Sequence, residues 1–285
     1  MNHLGEKAMK VVFLIAACAS VLAVFLICVF LFANGLPAMG KIGPLKFLFG
    51  TEWRPTNDKF GILPMIVASI YVTAGAILIG VPIALFTSVF MARYCPKKIY
   101  KPLKSGIELM AGVPSIVYGY FGLVLLVPLI RQLFGGTGSS MLAACILLGI
   151  MILPTIMRTT EEALKAVPDS YREGSFGLGA GRLRTVFQVV LPSAVPGILA
   201  GIILAVGRIV GETAALMYTA GTVAGIPSNL FGSGRTLAVH MYVLTNEGLY
   251  TNQSYATAVV LLVIVVLINA LSGFIAKKIT GKGIG

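Results

Sequence analysis

Arg208 and Glu212 stand four residues apart in an apolar stretch, so on a continuous helix they share one face. A charge at the centre of a membrane helix costs about 2.5–3.5 kcal/mol on insertion scales, and such residues face a bundle interior or an aqueous cavity. A guanidinium presents a fork of donors that matches phosphate or carboxylate oxygens, so Arg208 in a water-filled path favours an anionic substrate. Glu212 repels that anion unless it is paired. The arrangement expected is a Glu212 that holds Arg208 and yields part of that contact when the anion arrives. The competing reading is an Arg–Glu pair that only fixes helix orientation.

Other chemistries lack their residues. There is no Gly-x-x-x-x-Gly-Lys-Ser/Thr phosphate loop, no His/Cys metal set, no Ser-His-Asp group and no cofactor motif. His3 and His240 are isolated, and Cys18, Cys28, Cys95 and Cys145 have no metal-ligand spacing. The Gly177-Leu178-Gly179-Ala180-Gly181 run lacks the preceding strand that would make it a nucleotide fingerprint. The chain carries no catalytic residues, and any ATP that drives it is bound elsewhere.

The elements that must position Arg208 follow from composition. Hydrophobic residues make up 57% of the 285 positions and charged ones 11%, with a mean hydropathy of +0.93. Soluble domains carry about 25% charged residues, so most of this surface faces something other than water. The pattern predicts a single all-α, polytopic membrane domain over 1–285, with helices at roughly 11–33, 62–92, 107–130, 140–157, 194–220 and 256–276. The first run exceeds the length of a signal-peptide core and stays as a membrane helix. Of the 22 Lys and Arg residues, fifteen fall on the side of both termini, including Lys282; six fall opposite, and Arg208 lies within a span. That asymmetry places the N- and C-termini in the cytoplasm and makes the +12 charge topological, which excludes nucleic acid as a partner.

Two predicted spans carry small, polar stripes. On the fifth, Gly197, Gly201, Leu204, Ala205, Gly211, Ala215 and Thr219 share the face of Arg208; on the third, Glu108, Ala111, Gly112, Ser115, Gly119 and Gly122 share a face. The stripes line a common path or, alternatively, let helices pack closely at Gly197-x-x-x-Gly201 and Gly207-x-x-x-Gly211. Arg208, Glu212, Ser115 and Glu108 are the path candidates, and Glu108 has a second reading as a partner of Lys101 or Lys104.

The polar segment 158–192 is the remaining candidate. It reads as short helices broken near Gly177, Gly179 and Gly181. Glu173-Gly174-Ser175, three residues, Gly179, nine residues and Val189-Val190-Leu191-Pro192 resemble the loop signature of ABC-importer permeases. Gly174 and Ser175 stand where the signature has two alanines, and Val189 where it has isoleucine. Ala111–Gly119, Val167–Glu173 and Gly207–Thr213 are similar to motifs of the phosphate-specific Pst permeases, as are Gly50–Pro55 and Phe60–Ile62. The Trp53-Arg54-Pro55 loop resembles the PstC half, whereas Ala214–Ala220 is closer to PstA.

The resemblance implies a type I ABC importer permease fold with six transmembrane helices in a bacterial or archaeal plasma membrane. It implies phosphate as substrate and three kinds of partner: two copies of an ATP-binding subunit, a second permease subunit and an extracytoplasmic phosphate-binding protein. Tyr171, Arg172, Glu173, Gly174, Ser175, Gly179, Leu191 and Pro192 would form the coupling loop. The alternatives are a permease for another oxyanion such as sulfate or molybdate, an ATP-independent secondary transporter or channel, and a purely structural subunit.

Overall fold

The computed structural model describes residues 3–227 and 229–281, so Lys282 lies outside the described residues. Six helices are long and apolar enough to cross a bilayer: Gly5–Ile42, Leu63–Arg93, Ser115–Phe134, Met141–Ala166, Arg182–Val210 and Thr251–Phe274. They are numbered here as spans one to six.

Span four is the axis of the bundle. Met141, Leu147, Leu148, Met151, Ile152 and Ile156 are fully buried along it. Spans two and five reach it because their facing residues are small. A methyl added at Gly80 of span two would lie 2.8 Å from the Gly149 carbonyl oxygen, and one at Gly201 of span five 2.8 Å from Thr159 Cβ. Gly197 lies against Ala163 in the same way, whereas Gly207 has open space around it and Gly211 meets only its own helix. The Gly197/Gly201 pair is thus a packing contact, and the Gly207/Gly211 pair lies on an uncovered strip. Span one is apolar on every side, and Phe13, Leu14 and Val21 are more than 60% exposed, a surface suited to hydrocarbon. It touches span six where Gly35 meets the Tyr255 backbone and Phe30 meets the Tyr255 ring at 5.5 Å.

Helix boundaries differ from the hydropathy pattern in four places. Span one continues to Ile42 because Asn34 satisfies its amide on the Phe30 carbonyl (2.8 Å) and disturbs nothing. The predicted third span, 107–130, is two helices, Lys97–Gly112 and Ser115–Phe134. Pro114 drives Val113 into extended backbone (ψ 125°) and ends the first helix. Span four runs to Ala166 rather than 157, since Arg158, Glu161, Glu162 and Lys165 end an apolar run without opposing a helix. Span five starts at Arg182 rather than 194 and stops at Val210, before a separate short helix Ala214–Thr219. The interhelical segment is therefore 167–181, with its own helix Asp169–Gly177.

At this loop end, Arg93 donates to the Leu164 carbonyl, while Tyr100 and Lys165 both donate to Glu161, fastening Lys97–Gly112 to span four. At the far end, a two-residue hairpin pairs Trp53 with Phe60, and Asp58 takes the left-handed conformation (φ 53°) in its turn. Leu237, opening helix Leu237–Glu247, donates its amide to Ser69 Oγ at 2.9 Å. His240 of that helix is fully buried, edge-on to Trp53 at 4.2 Å between ring centres. Its Nδ1 accepts from the Arg235 guanidinium at 3.2 Å, so the ring's proton sits on Nε2. Burial first, and then the Arg235 charge, push His240 down to about 3.

Two outcomes follow. Gly201→Ala lowers stability by about 1–3 kcal/mol through overpacking against Thr159, whereas Gly207→Ala is neutral; thermal unfolding of the detergent-solubilised protein measures both. For His240, the unfolded chain binds a proton below about pH 6.5 that the folded chain refuses, so stability falls as pH drops from there toward 3. The slope is about 1.4 kcal/mol per pH unit at most, and His240→Gln removes it. Parallel wild-type and variant curves between pH 7 and 5 would overturn the assignment.

Candidate substrate path and coupling surface

Arg208 occupies the last turn of span five, where the helix ends at Val210. It is half-buried and, among the described residues, its side chain has no hydrogen bond or ion pair. Beside it run Leu204, which is 61% exposed, and the open Gly207 and Gly211. Just past the end of span five, Ala215 packs against Gly119 of span three, the neighbour of the buried Tyr118 and its hydroxyl. That hydroxyl donates to the Met110 carbonyl at 2.9 Å, across the break between Gly112 and Ser115. The helix that follows the end of span five thus packs on span three close after its Pro114 break.

Glu212 does something other than pair with Arg208. The chain leaves the helix at Gly211, so the two residues no longer share a face, and no ion pair joins them among the described residues. The buried Glu212 carboxylate accepts from the amides of Thr213 (3.2 Å) and Ala215 (3.1 Å), both through Oε1. It caps the helix Ala214–Thr219, where freed amides and the helix dipole favour a negative group. The expected exchange of Glu212 for an anion on Arg208 is replaced by a carboxylate committed to the backbone.

The other path residues separate. Ser115 is half-buried at the start of span three, immediately after the Pro114 break. Glu108 is exposed on the Lys97–Gly112 helix, out of register with Ser115. It makes no ion pair with Lys101 or Lys104 among the described residues; the Lys104 ammonium lies 5.9 Å from the Tyr100 ring instead. Gly119 and Gly122 are packing positions, the first against Ala215 and Tyr218 and the second against Thr219 and Leu147. Of the third-span stripe, only Gly112 has open space at its α-carbon.

The loop candidates lie together at the surface of the 167–181 end. Arg172 bonds Asp169 at 2.8 Å within helix Asp169–Gly177, and Ser175 Oγ meets Thr185 Oγ1 at 2.9 Å, locking that helix to span five. Tyr171, Glu173 and Gly174 are exposed, and Gly179 turns the chain at φ +82°, a conformation L side chains rarely adopt. Leu191 is half-buried and Pro192 exposed, both farther along span five. A groove of about 500 Å³ runs between Tyr171, Ser175, Gly179, Arg184 and Val189. Sequence reasoning missed the apolar residues around it: Leu178 is 91% exposed, with Leu183 at 66% and Phe176 at 40%. Their signal was available, since large apolar residues in a polar, glycine-broken loop have no fold reason to be there.

A family model described as binding-protein-dependent transport system inner membrane component matches residues 80–281, which include Glu173, Arg208 and Glu212. YqgH of Bacillus subtilis (strain 168), a probable ABC transporter permease protein, is 35% identical over 276 residues, covering 93% of this chain and 89% of that protein. The phosphate transport system permease protein PstC of Mesorhizobium japonicum is 32% identical over 278 residues, covering 88% of this chain and 84% of that one. A chain of the MetNI methionine ABC transporter in an inward facing conformation superposes with a TM-score of 0.58 at 23% identity, covering 77% of this chain and 94% of its own, a likeness of fold alone. The chain belongs to the family of binding-protein-dependent transport system inner membrane components, and it is a multi-pass permease with the fold of ABC importers.

Proposed function

We propose that this chain is the membrane-spanning subunit of an ATP-driven phosphate importer and forms the translocation path with a second permease subunit. The observation that carries the reading is Arg208, a half-buried cation with no protein partner among the described residues, on an uncovered strip of span five. A charge so placed needs a counter-charge or water. A second subunit laid against the strip would enclose it, and an oxyanion would supply the opposite charge. Phosphate relatives such as PstC set the choice of oxyanion.

In this reading both termini and the 167–181 segment are cytoplasmic, and the hairpin and Leu237–Glu247 helix face outward. An extracytoplasmic binding protein delivers phosphate to the outer loops. Two copies of an ATP-binding subunit take up the coupling helix Asp169–Gly177, with Tyr171, Glu173 and Leu178 presented to them. ATP binding moves that helix, and the Ser175–Thr185 contact passes the displacement into span five, whose other end holds Arg208. The far-end residues Trp53 and Pro55 favour the PstC half of the pair by resemblance. A permease for sulfate or molybdate is the second reading, because a guanidinium fork accepts any tetrahedral oxyanion.

Arg208→Gln lowers ATP-dependent phosphate uptake by about 10- to 100-fold, the worth of one charge-assisted contact, in complexes that assemble normally. Arg208→Lys falls between, since it keeps the charge and loses the fork. Uptake by the Gln variant at the wild-type rate would end the path assignment. Competition by excess sulfate or molybdate, if it suppressed uptake, would move the substrate to the second reading. For the coupling surface, Leu178→Asp leaves the permease folded but lowers copurification of the ATP-binding subunit by about tenfold, as expected for an exposed anchor.

A further inference from the structure

A second cation lies deeper along the same side of the bundle. Arg158 stands in span four, six residues before Leu164, whose carbonyl receives Arg93 at the loop end. That is about 9 Å along the helix from Leu164 at 1.5 Å per residue, at the point where the apolar run of span four ends. Arg158 is exposed and, among the described residues, makes no ion pair, even with Glu162 one turn away. It lines an open groove of about 250 Å³, wide enough for water, with Ala111, Pro154, Thr155, Thr159 and Glu162.

The helix packing fixes where this groove lies relative to Arg208. Gly197 sits over Ala163 and Gly201 over Thr159, so spans four and five run antiparallel. Arg158 is therefore level with about Gly201, seven residues before Arg208, an axial offset of about 10 Å toward the loop end. The two positions are joined along the wall. Gly119 packs on Ala215, just beyond the end of span five that carries Arg208; its neighbour Tyr118 bonds Met110, and Met110 adjoins Ala111 beside Arg158. Thr155 lines the space beside Arg158, whereas the Thr159 hydroxyl is turned toward Gly201 of span five and donates to the Thr155 carbonyl at 3.0 Å.

We propose that Arg158 is the centre of a second oxyanion station that receives phosphate from Arg208 on its way to the cytoplasm. The proposal rests on the reading of the chain as a phosphate permease. The station is built to hold weakly. Glu162 shares its groove and repels the anion that Arg158 attracts, so occupancy is brief, as conduction through successive sites requires.

The test uses the assembled transporter in inside-out vesicles, with Cys18, Cys28, Cys95 and Cys145 replaced by Ala and Thr155→Cys introduced. A membrane-impermeant, negatively charged thiosulfonate labels Cys at 155, and inorganic phosphate slows labelling several-fold. Arg158→Gln abolishes that protection, and Arg158→Lys keeps part of it. Labelling only by a membrane-permeant reagent would put this face against lipid and overturn the station. So would labelling indifferent to phosphate, or protection that survives Arg158→Gln. If Thr155→Cys does not assemble, Ala111→Cys reads the same groove from the facing helix. Protection by sulfate with none by phosphate would leave the station standing and overturn the phosphate reading. In uptake, Arg158→Gln lowers the maximal rate by about tenfold and leaves half-saturation by external phosphate unchanged, because loading precedes this site. A change in half-saturation alone would assign Arg158 to loading and overturn its place on the exit side.

Discussion

Wherever a helix stops inside a bilayer, the amides it releases must find partners within the protein. That constraint shapes the region around Arg208. One stop lies at Val113–Pro114, where Val113 donates to the Met110 carbonyl at 3.3 Å and Tyr118 brings its hydroxyl to the same carbonyl. The other lies at Gly211–Thr213, where Glu212 donates its amide to Ile209 and spends its carboxylate on Thr213 and Ala215. The short helices on either side, Ser115–Phe121 and Ala214–Thr219, pack on each other through Gly119. Two broken spans thus support one another at this junction, and the arginine lies one turn before the second break.

Close packing makes the junction rigid without much apolar burial of its own. Span four supplies the fixed reference, and glycines let its neighbours approach to backbone distance at Gly80, Gly197 and Gly201. In a bilayer this matters more than in water, since lipid is as apolar as leucine and only fit distinguishes a helix neighbour from solvent. Span five is held to span four along its first half and becomes open toward Gly207 and Gly211, where the charge sits. In the proposed function the packed half transmits displacement, and the open half meets the substrate and the facing subunit.

The six crossings and the all-α class were legible because a bilayer demands long apolar runs, and nothing else in the chain mimics them. The breaks were less so. Pro114 announced one, yet hydropathy continues across it, and a periodicity count over 107–130 carries Glu108 onto the face of Ser115 when the backbone has turned between them. Gly211 was the sign of the second break, masked because Arg208 and Glu212 fit helical spacing so well. Spacing gives a shared face only if the helix persists, and a glycine followed by a carboxylate and a threonine is equally a stop and a cap. Arg158 was assigned to the loop for the converse reason: its charge ended the apolar run, but charge does not end a helix.

The backbone contacts of Glu212 bear on the electrostatics of the proposed path. Had the carboxylate neutralised Arg208, an arriving anion would have had to displace an internal partner and strand a buried negative charge, at several kcal/mol. Glu212 Oε1 is already taken by two amides, which leaves Oε2 alone for the guanidinium, and no ion pair joins the two among the described residues. The cost moves to Arg208, which has no ion-pair partner among the described residues. That cost is relieved by water or an anion and returns when either leaves. A subunit whose resting state is stabilised by the substrate's own charge is biased to fill before it moves. In the proposed importer, that bias ties the ATP cycle of the partner subunits to cargo.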